Sequence, residues 1–202
     1  IEKLPLPLSI IATDIGTGQR VVLREGSLTS AMRASMSVPG LLSPIVLDGR
    51  KLVDGGLVDN VPIAEARERC KADIVIAVNV GSPLMDADRV GSLLTISAQM
   101  VNILTEQNVT RSLATLKPTD ILIQPDLGTI SSTDFSRNGE AADRGRAAAE
   151  AVRVQLAGLG ADETRYAEWR KPINRRNKPA LTVNEIEIAG LKRVNPAMVE
   201  RQ

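Results

Sequence analysis

Histidine is absent from the 202 residues, cysteine occurs once, and the aromatics Phe135, Tyr166 and Trp169 make up 1% of the chain. Each scarcity closes off some chemistry. Without histidine there is no Ser-His-Asp triad, no Cys-His dyad and no common zinc site, so neither a metal nor another cofactor is expected. Cys70 has no internal disulfide partner and falls, in "EARERCKAD", at a helix end, where it reads as a structural thiol rather than a nucleophile. So few aromatics leave no base-stacking platform, and a net charge of +1 attracts no polyanion, so nucleic acid is not an expected partner. No run approaches the ~20 apolar residues that a membrane-spanning helix needs. The opening "IEKLPLPLSI" has neither an initiator methionine nor a signal-peptide pattern, so the chain reads as a piece that starts inside a domain.

What is present is the composition of a globular protein, 43% hydrophobic and 24% charged, with a core to be built from Leu, Ile, Val, Ala and Met. "PLSIIATDI" (7–15) and "QRVVLRE" (19–25) are rich in β-branched residues and joined by "GTG", which predicts a hairpin. Gly16 and Gly18 spell G-x-G, but a strand follows rather than a helix, which argues against a dinucleotide fingerprint. "SLTSAMRASMSV" (27–38) predicts a short helix with Ser27 as N-cap, ended by Pro39-Gly40. "SPIVLDGRKLVDGG" (43–56) reads as two strands about an Asp48-Gly49 turn, with Asp54 at the end of the second.

Pro62 suits the first turn of a helix through "PIAEARERC", and "ADIVIAVNV" (72–80) is an apolar run suited to a strand buried on both faces of a parallel sheet. Apolar residues recur at three and four through 89–116, "DILIQPD" predicts another buried strand, and "GEAADRGRAAAEAVRVQLAGL" an Ala-rich helix. Strands alternating with helices predict an α/β layered domain. From about Ala161 the character changes: "DETRYAEWRKPINRRNKPA" is charged, holds two prolines and reads as a linker. The alternation in "LTVNEIEIAGLKRVNPAMVERQ" then opens a second unit.

Asp before glycine is a routine turn former, so the D-G-G of Asp54, Gly55 and Gly56 says little by itself. In order, however, "IIATDIGTGQRVVLREG", "RASMSVPG" (33–40), a hairpin, "VDGGLVDNVP" (53–62) and "DILIQPDLG" resemble the second half of the patatin-like phospholipase family, over roughly residues 4–160. The resemblance implies a layered hydrolase fold with a mainly parallel central sheet flanked by helices, here incomplete at its N-terminus. It further implies a lipid acyl hydrolase with a Ser-Asp dyad, in which Asp54 is the general base and Gly55, Gly56 and Asn60 support it. The chemistry is coherent: a serine hydroxyl needs a base within hydrogen-bond reach, and in a chain without histidine a partly desolvated carboxylate fills that place.

The family's G-x-S-x-G nucleophile elbow and glycine-rich oxyanion loop do not occur in residues 1–202, so the nucleophile is expected upstream, in a missing N-terminal half of the same domain. Ser35, Ser37, Ser131 and Ser132 are candidates by default, each more simply a cap or turn residue. Asn60, Val61 and Pro62 read as the opening of the next helix, with Asn60 also able to brace the Asp54 loop. Arg33 is either a helix surface cation or a guide for an anionic head group, and Tyr166 and Trp169 either pack the linker or mark a membrane-facing edge.

"VNEIEIAGLKRVNPAMVERQ" (183–202) resembles the first strand and helix of a POTRA module. That division gives residues 1–160 as the hydrolase part, 161–181 as linker and 182–202 as the start of the module. The combination implies a bacterial outer-membrane or secreted protein; without the tail, a cytoplasmic one is equally expected. The leading expectation is a phospholipase A or esterase acting on lipid esters at a membrane surface. The alternatives are a catalytically silent lipid-binding or assembly module and an unrelated α/β domain whose D-G-G is only a turn.

Overall fold

A computed structural model describes residues 1–81, 84–131 and 134–174. The chain divides after Ala161 into two units. In the first, strands β1 (Ile10–Asp14), β2 (Arg20–Leu23), β3 (Ile45–Leu47) and β4 (Arg50–Asp54) form one sheet in the order β2-β1-β4-β3. Helix α1 (Leu28–Ser35) lies between β2 and β3 in sequence, and a single helical turn α2 (Gly56–Asp59) leads from β4 to α3 (Ile63–Cys70). Then follow β5 (Ile76–Val78), the long helix α4 (Leu93–Leu113), β6 (Ile121–Ile123), α5 (Asn138–Ala151) and α6 (Arg153–Ala157).

Local signals act as their chemistry dictates. The Ser27 side chain accepts the Ser30 N–H and starts α1. Asp48 and Gly49 both take positive φ, 49° and 75°, the pair a tight hairpin turn between β3 and β4 requires. Ser92 and Thr95 form a reciprocal capping box that starts α4, four residues later than the apolar spacing begins.

The mainly parallel sheet expected from the family resemblance is not what forms among the described residues. All pairings of the four-stranded sheet are antiparallel, and only β5 and β6 run parallel, as a separate pair. The reason is connection length: β1 to β2 and β3 to β4 are joined by turns, which can only reverse the chain, whereas β5 and β6 are separated by the whole of α4. The fold is mixed α/β with small sheets.

Two apolar clusters hold this unit. Ala12, Val21, Ala34 and Leu52 seat α1 on the antiparallel sheet, Ala12 and Ala34 being fully buried where the helix crosses β1. Val61, Ile63, Val75, Ala77 and Val109 join α3, β5 and α4. β5 is not buried on both faces as expected: Ala77 is buried, but Ile76 and Val78 on the other face are 49% and 52% exposed. An apolar run supplies two faces for burial, and among the described residues packing covers one.

The stretch expected as a linker carries helix α7 (Glu163–Asn174). Its residues are mostly good helix formers with Glu163 in the first turn, and Pro172 lies inside the last turn. Tyr166 and Trp169 stack at 5.8 Å between ring centres, with the Arg170 guanidinium 5.8 Å from the Tyr166 ring. The POTRA-like stretch, 183–202, lies outside the described residues.

Candidate functional site

Asp54 ends β4, opposite Ala12 of β1. Its backbone is held from three directions. The Thr13 hydroxyl donates to the Asp54 carbonyl at 2.7 Å, the Asp54 N–H donates to the Ser37 carbonyl at 3.0 Å, and the Gly55 N–H donates to the Ser35 carbonyl at 3.3 Å. Gly55 presses against β1 so closely that side chains are excluded at that position. Beyond it the Gly56 N–H turns back and donates to Asp54 Oδ1 at 2.7 Å.

The carboxylate is thus half-buried, and that burial raises its pKa above the ordinary aspartate value, the Gly56 N–H pulling it partly back. No basic side chain is among the causes of this shift; Arg33 donates to the Ser37 hydroxyl and to the Ser43 carbonyl at 3.0 Å, and Arg20 pairs with Asp59 at 2.6 Å. Asp54 opens on a cleft of about 520 Å³ whose walls include Ser9, Met32, Ser35, Met36 and Asn60. The two methionines are about half exposed there and give the cleft an apolar side. A desolvated carboxylate with one backbone donor, beside an apolar wall, is equipped to take a proton from a hydroxyl or a water.

The default serine candidates separate on geometry. Ser37 is fully buried, and its hydroxyl donates to the Arg33 carbonyl at 2.6 Å while accepting from the Arg33 side chain, so it is locked into the end of α1. The same bonds make Arg33 a brace of the α1–β3 connection. Ser35 lines the cleft with Asp54. Ser131 receives its backbone order from Asp134 and lines a different cavity, with Phe135 and Ala141; Ser132 lies outside the described residues. Cys70 is exposed at the last residue of α3, so it is not a packed core thiol. Among the described residues no group of acidic or cysteine side chains could hold a metal ion.

Asn60 contributes through its backbone: its N–H donates to Asn108 Oδ1 at 2.8 Å. Pro62, not Asn60, caps α3. Asn108 is the functional neighbour that sequence reasoning passed over. It is 5% exposed on α4, and its side-chain nitrogen donates to the Gly56 carbonyl at 2.7 Å. One turn on, the Ser112 hydroxyl donates to the Val61 carbonyl. Asn108 and Ser112 lie four apart on one face of α4, but in 105–112 only Val109 is apolar, so nothing in the sequence marks them as buried partners.

Residues 6–67 match the sequence model of the patatin-like phospholipase family. The matched stretch contains the cradle of Asp54 and all of α1 through α2. An uncharacterised NTE family protein of Mycobacterium bovis is 40% identical over 92 residues, covering 44% of this chain and 25% of that relative. Patatin-like phospholipase domain-containing protein 7 of Mus musculus is 44% identical over 84 residues, 41% of this chain and 6% of the relative. A patatin-like phospholipase domain-containing protein of Caenorhabditis elegans is 28% identical over 89% of this chain and 15% of its own length. The chain therefore spans a quarter or less of the length of these curated relatives.

Proposed function

We propose that this chain supplies the general base of a lipid acyl hydrolase, with Asp54 as that base. The observation that carries the reading is the half-buried Asp54 carboxylate, raised in pKa, fixed at the mouth of an apolar-walled cleft within the patatin-like stretch. The proposed partner is a serine hydroxyl in a G-x-S-x-G elbow elsewhere in the full-length protein. Its proton passes to Asp54 as the oxygen attacks the ester carbonyl, then to the departing alcohol; water, activated in the same way, frees the acid. Gly55 keeps the backbone of β1 close, and Gly56 holds the carboxylate rotamer. Phospholipids at a membrane surface are the proposed substrates, consistent with Met32 and Met36 beside the carboxylate. The proposal includes a layered domain in which the half bearing the elbow covers the open face of β5. Export with a POTRA module beginning near residue 182 is a separate proposal, checked by locating the full-length protein in fractionated cells.

The test is Asp54→Asn in the full-length protein, with Asp48→Asn as the control on the neighbouring turn. Loss of ~10²–10⁴ in turnover of a short-chain p-nitrophenyl ester is expected for Asp54→Asn alone. Near-parental turnover would remove the base from the mechanism. Lipid binding that survives with no turnover in the parent protein would leave a silent lipid-binding module.

A further inference from the structure

We infer that Asn108, on α4, is a positioning residue for Asp54, acting through Gly56. This rests on the reading of Asp54 as the base. Gly56 is held at both of its polar atoms: its N–H donates to Asp54 Oδ1 at 2.7 Å, and its carbonyl accepts from Asn108 Nδ2 at 2.7 Å. The other end of the one-turn helix α2 is tied to the same side chain, the Asn60 N–H donating to Asn108 Oδ1 at 2.8 Å. Asn108 therefore brackets α2 from first residue to C-cap and sets where the Gly56 N–H points. Its second amide hydrogen returns to the Leu104 carbonyl of its own helix at 3.0 Å, so each of its polar atoms is engaged.

A buried asparagine in an apolar seam is costly unless it is fully bonded, and here every bond but one goes to the segment that carries the carboxylate's donor. A side chain of this size serving only as packing would be served as well by leucine. The neighbouring Ser112 makes a natural comparison: it lies on the same face of α4 and bonds the same segment, but at the Val61 carbonyl, beyond α2.

The experiment measures kcat, KM, the acid limb of kcat/KM and Tm for Asn108→Leu and Ser112→Ala in the full-length protein. Asn108→Leu is expected to lower kcat ~10–100-fold with KM little changed, because a displaced base misses its proton rather than its substrate. Its acid limb should move to higher pH, since a loosened Gly56 N–H no longer favours the ionised carboxylate. Ser112→Ala should lower Tm while leaving kcat and the acid limb at parental values. If Asn108→Leu behaves like Ser112→Ala, with Tm reduced and both catalytic readouts unmoved, Asn108 is only a fastening and the inference is overturned. Should Asn108→Leu not fold, Asn108→Ala reads the same bond without adding charge: it removes the donor to Gly56 and leaves the helix-forming backbone unchanged. A fall in kcat with the shifted limb supports the inference, and parental values overturn it. Asp54→Asn run alongside separates the two ideas, because full activity there refutes the base itself, whatever Asn108 does.

Discussion

A Cβ on Gly55 would stand 2.2 Å from the carbonyl oxygen of Ile11 and 2.6 Å from its carbonyl carbon. Both are backbone atoms of a paired central strand, so neither can swing aside. Gly55→Ala is expected to cost ~1–3 kcal/mol or more and to lower activity by displacing Asp54 from β1. Gly145→Ala, in the middle of α5 with open space around it, should instead gain ~0.5–1 kcal/mol. Melting curves of the two variants check this; equal Tm values would mean that β1 yields.

Asp54→Asn has a second expected outcome, on stability. Burial raises the folded-state pKa of Asp54, so its contribution to stability is complete below the ordinary aspartate range and is lost as pH rises through the raised value. Asparagine never ionises and still accepts the Gly56 N–H. The variant should melt above the parent near neutral pH, with the gap closing in acid. A gap that persists or widens on acidification would contradict the burial argument.

Glu65 shows the opposite sign. It is 3% exposed on α3, receives Arg24 at 2.9 and 2.7 Å and the Ser9 hydroxyl at 2.6 Å, and its pKa is lowered chiefly by Arg24. A lowered value means stability that is present above the ordinary glutamate range and lost as pH falls through the folded-state value. Glu65→Gln is expected to cost ~1–3 kcal/mol near neutral pH, with the difference from the parent shrinking in acid. Urea unfolding at both ends of that range decides it: a constant difference would show that shape rather than charge matters at Glu65.

The features that sequence disclosed are those whose cause is local. Ser27 caps α1 from three residues away, Asp48-Gly49 turns β3 into β4 by itself, and Asp54 at a strand end follows from the alternation before it. The features it concealed depend on distant partners. Helix α2 looks like loop in sequence because its four residues are held by Asn108, roughly fifty positions on. The apolar run at 72–80 carried no mark of which face would be covered, since Val61, Ile63 and Val109 lie elsewhere in the chain. The mainly parallel sheet is what the family's whole domain implies, whereas among the described strands only β5 and β6, separated by α4, pair in parallel and the rest obey the short turns between them.

The separations within the site also set an order of assembly. Thr13 and Ser37, which seat the backbone of Asp54, precede it in the chain, while Asn108, 48 residues beyond Asn60, is made much later. Synthesis runs from the N-terminus, so the β1–β2 hairpin and α1 leave the ribosome before the strand they will receive. Asp54 thus follows the residues that will seat it, but α2 cannot be tied until α4 has emerged. A nascent chain stalled before α4 would carry Asp54 and the Gly56 N–H but not the side chain that holds the Gly56 carbonyl.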